Sequence, residues 1–121
     1  MHIQLIIDQL HFAVEPMDQV AVEGETAVFH CSVQSDTLVS FIWTFTMSRS
    51  HHTQVIANVT VPLISNKYSV TNIGLTSSRL EVHRTLLSDA GSYTCRVSAG
   101  GQTIQTDANL EILSKSITSI Q

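Results

Sequence analysis

One stretch constrains this chain more than any other: Asp89-Ala90-Gly91-Ser92-Tyr93-Thr94-Cys95. It gains meaning from two residues upstream. Cys31 lies sixty-four positions before Cys95, and Trp43 falls between them, twelve positions after Cys31. These are the only two cysteines and the only tryptophan in the 121 residues. A bridge closing so long a loop would stabilise the fold by roughly 4 kcal/mol through lost freedom of the unfolded chain.

A period-two pattern runs through the same region. Residues 25–34 place Ala27, Phe29, Cys31 and Val33 on one face, with Val28, His30 and Ser32 on the other. Residues 39–47 alternate likewise: Val39, Phe41, Trp43, Phe45 and Met47 against Ser40, Ile42, Thr44 and Thr46. Residues 92–99 carry Tyr93, Cys95 and Val97 on one side, and residues 102–113 carry Ile104, Thr106, Ala108, Leu110 and Ile112. Gly100-Gly101 between those two runs is a hairpin signal, since both can adopt positive φ. Further strands are read at 9–15, 19–22, 53–59, 67–72 and 77–83, the last turning Leu80 and Val82 inward. Pro16 separates the first two, and Pro62 argues against a central strand at 61–64.

Cysteine, tryptophan and Asp-x-Gly-x-Tyr-x-Cys in this order resemble the immunoglobulin superfamily, whose hallmarks they are. The resemblance implies an all-β, immunoglobulin-like β-sandwich: two antiparallel sheets, Greek-key topology, intermediate- or variable-type, with a C′ strand at 53–59. It implies that Cys31 and Cys95 join the sheets, that Trp43 packs on the bridge, and that the Tyr93 hydroxyl bonds nearby backbone. It implies a split first strand that changes sheets. Asp89 is expected to take a basic partner, for which Lys67 is the candidate. Gly91 is expected to permit the turn into its strand. The family usually has an apolar residue where this chain has Thr85, a gap that Leu86 or Leu87 is expected to fill. The domain is expected over residues 9–113, with 1–8 an N-terminal extension or an added initiator residue and 114–121 a linker or tail.

Composition narrows function. Hydrophobic content is 43% and charged content only 13%, with net charge −4. No basic stripe is present, so nucleic acid and anionic membrane are excluded as expected partners. No apolar run approaches the ~20 residues of a membrane span. The first ten residues lack the basic region and cleavage site of a signal peptide. Six histidines include adjacent His51 and His52, but none shows metal-ligand spacing. Ser88-Asp89 has no nucleophile elbow or oxyanion loop. The expectation is therefore no metal, no cofactor and no catalysis.

The expected function is protein recognition in a cell-surface or secreted receptor or adhesion protein. The alternative is an intracellular structural module of a muscle or cytoskeletal protein. An immune variable domain ranks third, because the last strand lacks the Phe/Trp-Gly-x-Gly bulge. Strands C (39–47), F (92–99) and G (102–113) would share a sheet. Its outer face would carry Ile42, Thr44, Thr46, Thr94, Arg96, Gln105 and Asp107, and is the expected contact for a protein partner, a second copy included. Asn58-Val59-Thr60 is a glycosylation sequon, which fits an extracellular setting.

Overall fold

The computed structural model describes residues 9–57 and 66–115. Nine strands are described: β1 His11–Val14, β2 Gln19–Val22, β3 Ala27–Gln34, β4 Ser40–Met47, β5 Thr53–Ala57, β6 Tyr68–Ile73, β7 Ser77–Val82, β8 Gly91–Ala99 and β9 Gln102–Leu113. A single 3-10 turn, Leu87–Asp89, joins β7 to β8. The strands form two sheets, ordered β1-β3-β7-β6 and β2-β9-β8-β4-β5. The fold is an immunoglobulin β-sandwich, and β4, β8 and β9 are its strands C, F and G.

Alternation in the sequence becomes alternation in burial. Along β3 the residues Ala27, Phe29, Cys31 and Val33 are buried; along β8 so are Tyr93, Cys95 and Val97. Removing that much apolar surface from water drives the two sheets together. Trp43 is fully buried among them.

The first strand is split between the sheets. β1 pairs antiparallel with β3, and β2 pairs with β9. The β2–β9 pair is parallel, an exception to the antiparallel pattern expected throughout. The chain crosses at buried Pro16 without reversing, so β2 keeps the direction of β1. Where β1 has left β3, the Gln19 side-chain amide takes its place. Its Nε2 donates to Val28 O and its Oε1 accepts from Val28 N.

One expectation at the lower end is corrected. Leu86 and Leu87 do not fill the gap at Thr85; they are 53% and 51% exposed. Thr85 itself is buried, donating its hydroxyl to Glu25 O at 2.8 Å and its N–H to the same oxygen at 3.0 Å. Its carbonyl accepts from Gly24 N. The threonine is tolerated because every polar group it buries is paired. Gly91 enters its strand at a φ of +155°, a conformation that favours glycine as expected, and it also serves close approach. It opens β8 opposite Met47, and a Cβ there would lie 2.2 Å from the Thr46 carbonyl oxygen.

Candidate functional site

The inner face of the five-stranded sheet holds the signature residues. Cys31 and Cys95 form the disulfide between the sheets, their Cα atoms 6.6 Å apart. Register places Trp43 opposite Cys95 and Ser78 opposite Cys31. The Trp43 Nε1–H donates to Ser78 Oγ at 2.9 Å, a second link between the sheets beside the covalent one. Ser78 was missed in the sequence. The signal was its parity with Leu80 and Val82 on β7, which makes it inward.

Tyr93 stacks between Phe29 and Phe45, with ring centroids at 5.0 and 4.6 Å. Its hydroxyl donates to the Asp89 carbonyl at 2.7 Å. The Asp89 carboxylate accepts from the Leu86 N–H and pairs with Lys67 Nζ. Lys67 Nζ also donates to Arg84 O. One acidic residue thus ties the turn before β8 to the strand entry at Lys67. Burial pushes the Tyr93 phenol far above its usual pKa, and the nearby Tyr68 and Asp89 charges add to this. These groups are structural: Tyr93 and Asp89 are buried and mutually satisfied.

The outer face of the same sheet carries rows of residues set by register. Ile42, Arg96 and Gln105 form one row across β4, β8 and β9. Thr44, Thr94 and Asp107 form the next, and Thr46, Ser92 and Asn109 the one below. Thr94 donates to Asp107 at 2.5 Å, Thr46 and Thr53 share a hydrogen bond of 2.8 Å, and Ser98 and Thr103 one of 3.0 Å. Neighbouring hydroxyls therefore satisfy one another within the face. Arg96 is exposed and makes no ion pair among the described residues.

Val55 belongs to this face and was also missed. It is 60% exposed and pairs with outward-facing Thr44. A bulge between Trp43 and Thr44 inserts Ile56 into β5, and Ile56 is buried. The bulge changes the parity of β5, so its outward residues could not be counted from Trp43 alone. Val55 thus adds an exposed apolar side chain on the edge strand, beside Thr44 and one row from Ile42.

The opposite sheet presents a different surface. Arg79 donates to Glu81 at 2.7 Å, and His83 lies 4.0 Å from the same carboxylate. The Arg79 hydrogen bond holds the Glu81 carboxyl below the usual range. His83 also bonds Ser69 at 2.8 Å. Among the described residues no group of three His, Cys, Asp or Glu side chains could hold a metal. Asn58, the sequon residue, lies outside the described residues.

Comparison with known proteins places this geometry. The immunoglobulin I-set domain family matches residues 10–112. The netrin receptor DCC of Homo sapiens is 31% identical over 105 residues, covering 87% of this chain and 6% of the receptor. The chain thus spans a small part of that relative's length. The RIG-5 IG1 homodimer superposes with a TM-score of 0.73 at 18% identity, covering 88% of this chain and 99% of that one. The titin M10–obscurin-like 1 Ig complex gives 0.70 at 21% identity, covering 89% and 97%. At such identities the two structures speak for the fold alone.

Proposed function

The chain belongs to the immunoglobulin I-set family, and we propose that it is a non-enzymatic recognition module of a cell-surface or secreted receptor, binding a protein through the outer face of β9, β8 and β4. The observation that carries this reading is the face itself. Its hydroxyls are largely paired, its charge is confined to Arg96, Asp107 and, at the lower end of β9, Glu111, and half-buried Ile42 on β4 is joined by exposed Val55 on the edge strand β5. Docking such a face requires little desolvation of charge. A specific contact needs about 800 Å² per partner, which one sheet face can supply. The likeness to DCC, a receptor by name, supports the receptor setting.

A second copy is the first partner to test, since a domain of the same fold pairs with itself. Two-fold symmetry would set Ile42 near its mate and let Arg96 reach Asp107 of the other copy. Sedimentation of the wild type over a wide concentration range should show a dimer, and Ile42→Asp should remain monomeric with an unchanged melting temperature. Association of Ile42→Asp at wild-type strength would defeat the reading. The likeness to titin domains keeps an intracellular structural module as the alternative. Protein isolated from its native source with free thiols at Cys31 and Cys95 would favour that alternative.

A further inference from the structure

The lower end of the sandwich holds a cleft that lies apart from the outer face. Its volume is about 420 Å³, within the range of sites that take small ligands. Met47, Leu87, Ala90 and Ile112 give it an apolar lining, and Ser48, Arg49 and Ser88 supply its polar groups. It is open to solvent, so a polypeptide can run past it on either side.

The local sequence builds this cleft. β4 ends at Met47, and the turn to β5 folds straight back. Met47 N–H donates to His52 O at 3.1 Å, and His51 N–H donates to Met47 O at 3.0 Å. Ser48 N–H donates to Ala90 O at 3.2 Å, fastening this turn to the residue before β8. The approach is close enough that a Cβ on Gly91 would lie 3.1 Å from Ser48 N. Met47, Ser48 and Arg49 are thereby held beside the 3-10 turn Leu87–Asp89.

Two side chains here have no part in the fold's own bonding. Leu87 is exposed and leaves the place beside Thr85 unfilled; it lines the cleft instead. Arg49 is exposed and makes no hydrogen bond or ion pair among the described residues. No acidic side chain lines the cleft. Asp89, next to Ser88, turns its carboxylate to Lys67 Nζ and Leu86 N–H. An exposed leucine alone means little. On one concave surface, though, apolar lining beside an unpaired cation defines a complementary ligand. A guanidinium takes a carboxylate through two parallel hydrogen bonds, and the two serine hydroxyls add donors.

We propose that the cleft binds an acidic peptide segment of a partner protein, with an aliphatic side chain entering it and a neighbouring Asp or Glu carboxylate pairing with Arg49. A neutral segment would leave Arg49 unpaired, and an acidic segment without an aliphatic residue would leave the lining wet. Met47 belongs to the inward set of β4 and Ile42 to the outward set, so the two contacts are separable by substitution.

Methyl and amide spectra of the full chain test this, with acetyl-Asp-Leu-Asp-amide, acetyl-Gln-Leu-Gln-amide and acetyl-Asp-Gly-Asp-amide as probes. The first should give saturable shifts at Met47, Leu87 and Ile112. Exchanging its acids for Gln should weaken binding about fivefold, and exchanging its Leu for Gly about tenfold. Arg49→Gln should erase the preference for the acidic probe while the Gln probe binds as before. Leu87→Ala should weaken both leucine probes and preserve their ratio. Both positions are exposed, so each variant should keep the wild-type melting temperature. Shifts that do not saturate, or equal wild-type affinity for the acidic and Gln probes, would overturn the proposal. So would hexanoate binding more tightly than the acidic tripeptide, since the occupant would then be a free carboxylate. Ile42→Asp should leave all three affinities unchanged; loss of the acidic probe in that variant would move the contact to the outer face and defeat the assignment.

Discussion

The two faces of the five-stranded sheet are built from alternate residues of the same strands, yet they are held in opposite ways. On the inner face, Trp43, Tyr93 and Cys95 are each fully buried and each fastened by a named bond: to Ser78, to the Asp89 carbonyl and to Cys31. On the outer face, Ile42, Thr94 and Arg96 sit one residue away along the same backbones and are fastened only by exposed hydroxyl contacts, if at all. The inner face therefore sets stability and the outer face is free to set recognition. Substitutions on the inner side should move the denaturation midpoint. Those on the outer side should move association and leave the midpoint alone.

The largest expected effect is loss of the bridge. Replacing Cys31 and Cys95 together by Ala should cost about 4 kcal/mol, read from denaturant midpoints of the oxidised wild type and the variant. A loss below about 1 kcal/mol would show that Trp43, Ser78 and the stacked aromatics hold the sheets without it, weakening the contrast between the faces. Next comes Gly91→Ala. Its Cβ would meet Thr46 O at 2.2 Å and the Phe45 ring at 2.8 Å, both across the β4–β8 pair. The strands must separate locally, at a cost of about 3 kcal/mol. An unchanged midpoint would mean that the close approach is easily relaxed.

Tyr93→Phe removes one buried hydrogen bond and should cost about 1 kcal/mol at neutral pH. The same residue supplies a pH dependence. Its phenol is neutral when protonated, and burial raises its pKa in the folded state. Its contribution is complete below the unfolded pKa of ~10. As pH rises above that value the unfolded chain ionises first, so stability falls. Tyr68 is shifted in the same direction, mainly by burial. Denaturation midpoints should drop between pH 9 and pH 11 in the wild type and drop less in Tyr93→Phe. Equal slopes would assign the alkaline loss to other groups.

Legibility in the sequence followed the same division. The inner face was readable because Cys31, Trp43, Tyr93 and Cys95 each fix the parity of a strand, and parity then assigns every neighbour. Ser78 escaped because a serine among apolar residues reads as a surface residue until its partner, the Trp43 indole N–H, is known. Thr85 was seen as a departure, but its resolution was not. Its partners Val22 O, Glu25 O and Gly24 N lie sixty or so positions away in sequence. The outer face was readable on β4, β8 and β9, where register is unbroken. It was unreadable on β5, where the bulge at Ile56 separates sequence parity from spatial parity.

That last point yields the smallest expected change in stability. Val55→Asp alters a side chain already 60% exposed, opposite Thr44 and away from the core. Exposed substitutions of this kind stay within about 0.5 kcal/mol, so the midpoint should not move measurably. Its effect on association should be large for the opposite reason. A carboxylate set beside Ile42 and Thr44 would have to be desolvated without a partner whenever the face docks. The variant therefore separates two roles for β5. If Val55→Asp weakens association as Ile42→Asp does, the recognition face extends over β5 and the bulge is what turns Val55 into it. If it associates normally while Ile42→Asp does not, the contact is confined to β4, β8 and β9, and Val55 is an exposed edge residue only.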